Sequence, residues 1–403
     1  MLQTARAQTQ TTLEFGIYRD GDNNLDTSQA VTLRQALESS RREPRIEFSV
    51  QDTTSAGTGE LRTDEFTIRS GGVGRANIEA PHDMASGQNL ARFVADTLDN
   101  AERSGAKQTW IELTDHGAGD GGGLEADSTK HIMPMPQIAQ AIADGVKLHA
   151  HEHPEDADRS VDGVVANQCL MASLGFADAL SHAGVKYLAA SPETMVSPGV
   201  PSSVAEAIAD RAGRPHAMAD ALVRNVMDQR YGPGFQQWSP AAAFDVLDVR
   251  RSKIHTVERA VKTFNDAVAA HEHDRAAVSA IRSDARSVDG MVRFPQATPS
   301  MPWHADRPAI ALYDAIAKDA RLDDTLRQDA IEAENAIGSL VLAHAESRNF
   351  EPFGGSDYAD AVGPTVHFPV AARQIDPWAP RVTETQNRFF DETDAAAAER
   401  VVA

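Results

Sequence analysis

A chain of 403 residues, 41 % hydrophobic and 24 % charged with a net charge of −21, is long enough for one large domain with additions or for two. A surface this acidic repels nucleic acid and anionic lipid, which excludes both as expected partners, and favours basic peptides in a salt-screened encounter. One cysteine rules out an internal disulfide, and no apolar run reaches the roughly 18 residues of a membrane span.

Residues 1–10 lack the apolar core of a signal peptide. The expectation is a cytoplasmic protein, one secreted by a non-classical route, or a start that lies upstream, since Ala5-Arg6-Ala7 has the look of a cleavage-site tail. The run 13–18 reads as a strand, followed by a polar loop over 20–26 and a helix near 27–40. A second strand covers 45–50. Residues 59–78 suggest a hairpin turning at Gly71-Gly72. Over 89–103, Leu90, Phe93, Val94 and Leu98 recur at helical spacing. A strand at 109–113, a helix near 136–143, a strand at 161–167, a helix after Cys169 and a strand at 185–190 follow. Strands alternating with helices predict a mostly parallel α/β sheet covered on both faces.

Beyond residue 200 the pattern changes. Residues 204–229, 251–280, 309–318 and 322–347 read as Ala-rich helices, 295–308 as a Pro-punctuated linker, and 365–368 as a short strand. The division expected is a catalytic core over 1–200 and a mainly helical region over 201–403 that packs on it. No internal repeat is visible.

In parallel sheets reactive groups gather beyond the carboxyl ends of the strands. His116 and Cys169 each follow such a strand. A lone cysteine is most often a small buried hydrophobe, and a histidine beside a glycine-dense loop is most often surface. The pattern here favours chemistry. Cys169 ends an apolar run and precedes Leu170-Met171-Ala172-Ser173, a helix start whose dipole would lower the thiol pKa. His116 precedes it by 53 residues, in a caspase-type order. A thiolate attacking a carbonyl, with an imidazole to hold its proton, is nucleophilic catalysis. The Gly117 and Cys169 N–H groups are candidates for the oxyanion hole.

Three blocks, 18–25 (Tyr-Arg-Asp-Gly-Asp-Asn-Asn-Leu), 114–119 (Thr-Asp-His-Gly-Ala-Gly) and 167–172 (Asn-Gln-Cys-Leu-Met-Ala), resemble in order those of the clostripain family of cysteine peptidases. Residues 190–194, 239–248 and 363–369 resemble later blocks. The resemblance implies a caspase-like fold, His116 and Cys169 as the catalytic dyad, and cleavage of peptide or protein substrates, commonly after Arg or Lys. It also implies self-cleavage or calcium dependence in many members, although the chemistry itself requires no cofactor. Asn167, Ser191 and Glu193 are the candidate substrate-binding residues. Asn167 stands where family members tend to carry an acid, which removes the charge-assisted part of a contact to a basic side chain, roughly 1.5–3 kcal/mol. Asp120 replaces an aromatic residue common after the His-Gly block.

The remaining motifs read as structural. Residues 20–26 lack the sixth-position glycine and twelfth-position glutamate of an EF-hand, which favours a hydrogen-bonded turn. His149, His151 and His153 read as part of a solvated acidic linker rather than a metal site, because alternating residues of a flexible loop do not preorganise ligands. Lys147 and Arg159 flank that linker as candidate self-cleavage positions. His271 and His273 read as exposed surface. Two alternatives stand beside the peptidase: a catalytically weak peptide-binding relative, and a metal-dependent hydrolase built on the 149–153 histidines. Oligomeric state is open.

Overall fold

The computed structural model describes residues 11–55, 60–231, 239–270, 277–278, 306–348, 350, 352 and 358–367. The N-terminal segment 1–10, most of the 295–308 linker, the Asp120 side chain, His271 and His273 lie outside the described residues.

In chain order the strands are β1 (Leu13–Asp20), β2 (Ile46–Thr54), β3 (Arg62–Arg69), β4 (Gly72–Val73), β5 (Asn77–Glu79), β6 (Gln108–Thr114), β7 (Gly123–Ala126), β8 (His131–Met133), β9 (Gly163–Asn167), β10 (Tyr187–Ala190), β11 (Ala243–Asp248), β12 (Asp306–Pro308), β13 (Val341–Glu346) and β14 (Thr365–His367). The helices labelled here are α1 (Asp26–Arg42), α2 (Gly87–Ser104), α3 (Met135–Glu152), α4 (Leu174–His182), α5 (Val204–Ala209), α6 (Pro215–Met227) and α7 (Arg251–Ala270). The main sheet runs β13-β11-β10-β9-β6-β1-β2-β3-β4, with β5 on β3. Its centre, β10-β9-β6-β1-β2, is parallel, and antiparallel strands extend both sides. The fold is therefore the expected mostly parallel α/β sheet.

Period-2 alternation divides each central strand between two cores. Leu13, Phe15 and Ile17 of β1, Trp110 of β6 and Val165 of β9 pack on one face with α5 and α6. Ile111 and Leu113 of β6, Val164 and Ala166 of β9 and Leu188 of β10 pack on the other with α2, α3, α4 and α7. Both faces are buried, so these strands read as continuous apolar runs in the sequence.

Two stretches differ most from the sequence expectation. Helix α3 runs to Glu152 rather than ending near residue 143, so His149 and His151 are helical. The stretch 322–347 is not one helix: Asp324–Gly338 is helical, but Val341–Glu346 forms β13. Its Leu and Ala are good helix formers, yet antiparallel pairing with the open edge of β11 overrides that propensity. Residues beyond 200 thus extend the same sheet by two strands. No helix among the described residues is long and apolar enough to cross a membrane.

Candidate active site

Register brings the two sequence candidates together. Thr114 of β6 pairs with Asn167 of β9 in the parallel ladder, and His116 and Cys169 each lie two residues further on. The connection is tight. The Gln168 side chain donates from Nε2 to the His116 carbonyl at 2.8 Å. A Cβ placed on Gly117 would lie 2.2 Å from the Cys169 carbonyl oxygen and 3.0 Å from the Cys169 nitrogen. Only a residue without a side chain lets these two backbones meet.

The loop leaving β1 positions the imidazole. His116 Nε2 lies 2.9 Å from Asn24 Oδ1. An amide oxygen only accepts, so this bond places the proton on Nε2 and leaves Nδ1 as the basic nitrogen. Below it, Asp115 is buried. Its carboxylate accepts from the His116 N–H at 2.5 Å, from Asn23 Nδ2 at 2.6 Å and from the Glu125 N–H. Burial, with Asp20 adjacent, raises the Asp115 carboxyl well above its ordinary range. Burial also lowers the His116 imidazole below its ordinary 6.5, against the opposing pull of Glu125 and Asp127.

Cys169 is half-buried, and Met195 holds its sulfur: the Met195 N–H donates to Sγ at 3.2 Å, and Sγ faces the Met195 carbonyl at 3.8 Å. No hydrogen bond joins the thiol to the imidazole. Leu170 turns the chain through a left-handed conformation (φ 66°), a strained geometry for a side-chain-bearing residue. The turn is pinned from behind, where Leu170 N–H donates to the Glu193 carbonyl and Ala172 N–H to that of Ser191. Helix α4 begins only at Leu174, with Ser173 as its N-cap. The sulfur consequently lies outside the first turn, and the expected dipolar lowering of the thiol is corrected: burial raises it above 9.0, with the Met195 N–H as a smaller opposing effect.

Asn167 is buried behind the thiol rather than facing solvent. Its Oδ1 accepts from the Val200 N–H at 2.7 Å and its Nδ2 donates to Glu112 Oε1 at 3.0 Å. Gly199 crosses it so closely, at φ 84°, that a Cβ there would fall 1.9 Å from Oδ1. Ser191 and Glu193 are fully buried. The Ser191 hydroxyl lies 2.8 Å from the Ala243 and Glu193 carbonyls, so this pair shapes the turn that carries Leu170. Lys147 projects from the middle of α3 and bonds Asp144, whereas Arg159 is tied to the Ala106 carbonyl and to Asp156. Lys147 is helical, and Arg159 follows the turn after Asp156.

Two groups of residues at this rim escaped the sequence reading. Asn23 and Asn24 lay inside a recognised block, but only the fold shows that they reach Asp115 and His116. Glu112 gave no signal beyond an acid interrupting a buried strand. It is fully buried, accepts from Thr114 and Asn167, and burial lifts it to about 7. Because the folded value exceeds the unfolded 4.5, the acid costs stability as pH rises between those values, reaching on the order of 3 kcal/mol above pH 7. Glu112→Gln keeps the acceptor and removes the ionisation. Urea unfolding is expected to find the variant more stable than wild type at pH 8, with the gap closing below pH 4.5; equal stability at pH 8 would refute the raised carboxyl.

The acidic loop after β1 is a hydrogen-bonded turn. Asp20 Oδ1 accepts from the Asp22 N–H at 2.8 Å, Asp22 accepts from Ser128, and Asp26 is bound by Arg19, Thr54 and Ser55. Asp20 Oδ2, by contrast, is buried without a hydrogen-bond partner.

No family model and no curated protein matches the sequence. The fold is similar to that of a secreted C11 cysteine protease from Bacteroides thetaiotaomicron in complex with an irreversible peptide inhibitor, with a TM-score of 0.67 and 13% identity over 96% of this chain and 99% of that one. It is also similar to an inactive zymogen C11 protease from Parabacteroides distasonis, with a TM-score of 0.63 and 14% identity over 96% and 99% of the two chains. At this identity the likeness establishes a shared architecture across nearly the whole length.

Proposed function

We propose that the chain is a cysteine endopeptidase with Cys169 as nucleophile and His116 as its proton acceptor. The observation that carries this reading is the contact of the Gly117 and Cys169 backbones, which brings an imidazole loop and a thiol to one rim of a parallel sheet shared with C11 proteases. In the reaction the thiol proton passes to His116 Nδ1 while sulfur attacks the scissile carbonyl. The Gly117 and Cys169 amides donate to the oxyanion. The imidazolium then protonates the leaving amine, and water releases the acyl group from sulfur. Burial disfavours both charged partners, so the resting pair is neutral, and the proton moves as substrate engages. Catalytic hydrogen bonds of this kind commonly tighten only in the complex.

The substrate class is peptide or protein. The selectivity for Arg or Lys implied by the resemblance does not rest on Asn167, whose amide is engaged by Val200 and Glu112. The raised thiol also suits a weakly catalytic peptide-binding relative, and one experiment separates the two readings. Alkylation of Cys169 by iodoacetamide is expected to slow as pH falls through a value below 6.5, where His116 becomes charged and can no longer accept the proton. It should climb again in the alkaline range, without an acid plateau. Replacing His116 with Ala is expected to slow labelling by a peptide electrophile about 100-fold at neutral pH. An unchanged rate in that variant would remove the dyad.

A further inference from the structure

The 149–153 histidines are not in a flexible loop. His149 lies in the last turn of α3, and His153 follows one turn later, its N–H bonded to the His149 carbonyl at 2.7 Å. The two rings stack with centroids 5.1 Å apart. Facing them on α2 are Asp99 and Glu102, also one turn apart, whereas His151 points to solvent.

We propose that Asp99, His149 and His153 form a binding site for a divalent transition metal of the zinc class. Asp99 Oδ1 lies 2.7 Å from His149 Nδ1 and 3.4 Å from His153 Nε2, and all three ligand atoms fall within 4.8 Å of one another. Two imidazoles and one carboxylate around a common point are the donor set of a tetrahedral zinc site with one place left for water. The outer groups match as well. His153 Nδ1 meets Glu102 at 2.8 Å, and His149 Nε2 faces Asp156 Oδ2 at 3.6 Å. Each ring therefore turns one nitrogen towards Asp99 and the other towards a second carboxylate, the arrangement that orients metal-bound histidines and raises their basicity.

Protons alone satisfy this cluster poorly. His149 is completely buried, and its Nε2 lacks a hydrogen-bond partner within 3.5 Å. With one proton each, the rings donate to Asp99 from His149 Nδ1 and to Glu102 from His153 Nδ1, which turns the lone pair of each remaining nitrogen towards a carboxylate; charging both would set two stacked cations together. A metal ion between Asp99, His149 Nδ1 and His153 Nε2 leaves each outer nitrogen a proton that faces an acid, His149 Nε2–H towards Asp156 and His153 Nδ1–H towards Glu102. The site joins α2 to the end of α3, where these helices lead into the starts of β6 and β9. It lies at the opposite end of the sheet from Cys169, apart from the proposed dyad, and ties the two helices together.

The test is a Co²⁺ titration of the chelator-treated full chain carrying Cys169→Ala, so that neither the thiol nor self-processing contributes. The expected result is one Co²⁺ per chain, with the visible absorption of a low-coordinate His-bound site. His153→Gln or Asp99→Asn should weaken binding at least tenfold, and Glu102→Gln by about 10–100-fold. His151→Gln should leave it unchanged. Zn²⁺ should raise Tm in the parent but not in folded His153→Gln, as judged by circular dichroism. Absence of stoichiometric Co²⁺ binding, or equal binding in parent, His153→Gln and Asp99→Asn, would leave an ion-paired His–Asp network only and overturn the proposal.

Discussion

Cys169→Ala is expected to reduce peptide cleavage to background, a loss of about 10³–10⁶-fold in kcat/KM, because the remaining groups cannot form the acyl-enzyme. The substitution is structurally mild. It deletes one sulfur that accepts a single hydrogen bond from the Met195 N–H, at a cost of about 1 kcal/mol. Leu170, which holds the strained turn, keeps its bond to the Glu193 carbonyl. The variant should therefore fold normally by circular dichroism while losing turnover. Activity on a diverse peptide library is the measurement, and retention of a tenth or more of wild-type kcat/KM would show that the sulfur is not the nucleophile.

Gly117→Ala is expected to lower kcat/KM about 100-fold without touching a titratable group. Its methyl would fall 2.2 Å from the Cys169 carbonyl oxygen and 3.0 Å from both Cys169 N and Gln168 Cβ. Two of those three atoms are backbone, so relief requires one loop to retreat from the other. A displacement near 1 Å between a nucleophile and its base costs on the order of 100-fold in rate. The overpacking itself should remove about 1–3 kcal/mol of stability. Gly87→Ala is the matched control: its nearest neighbour would be the Ala141 Cβ at 3.8 Å, an ordinary contact, so activity should not change. Loss of activity in both variants would point to general destabilisation, and loss in neither would mean that the contact between the loops does not position the chemistry.

The buried strands were visible because both faces of the central sheet are covered, which turns each one into a short apolar run bounded by polar loops. Parallel alternation then placed His116 and Cys169 at one rim, and the ladder pairing Thr114 with Asn167 agrees with that placement. The Asp-Asn-Asn block after β1 was seen as a turn, but its contact with the imidazole was not, because Asn24 and His116 are brought together only by neighbouring strands. Likewise, Val341–Glu346 carries helix-forming residues and becomes a strand only because β11 offers an edge.

Apolar spacing, turn residues and the order of reactive side chains are properties of short stretches of chain, so the sequence alone determined the sheet, its helical cover and the pair of candidate reactive residues. The tertiary structure decided the direction of each pKa shift at the site, the engagement of Asn167 by Val200 and Glu112, and the meeting of His149 and His153 with Asp99. Those depend on desolvation and on partners tens of residues away, and neither quantity exists until the chain is packed.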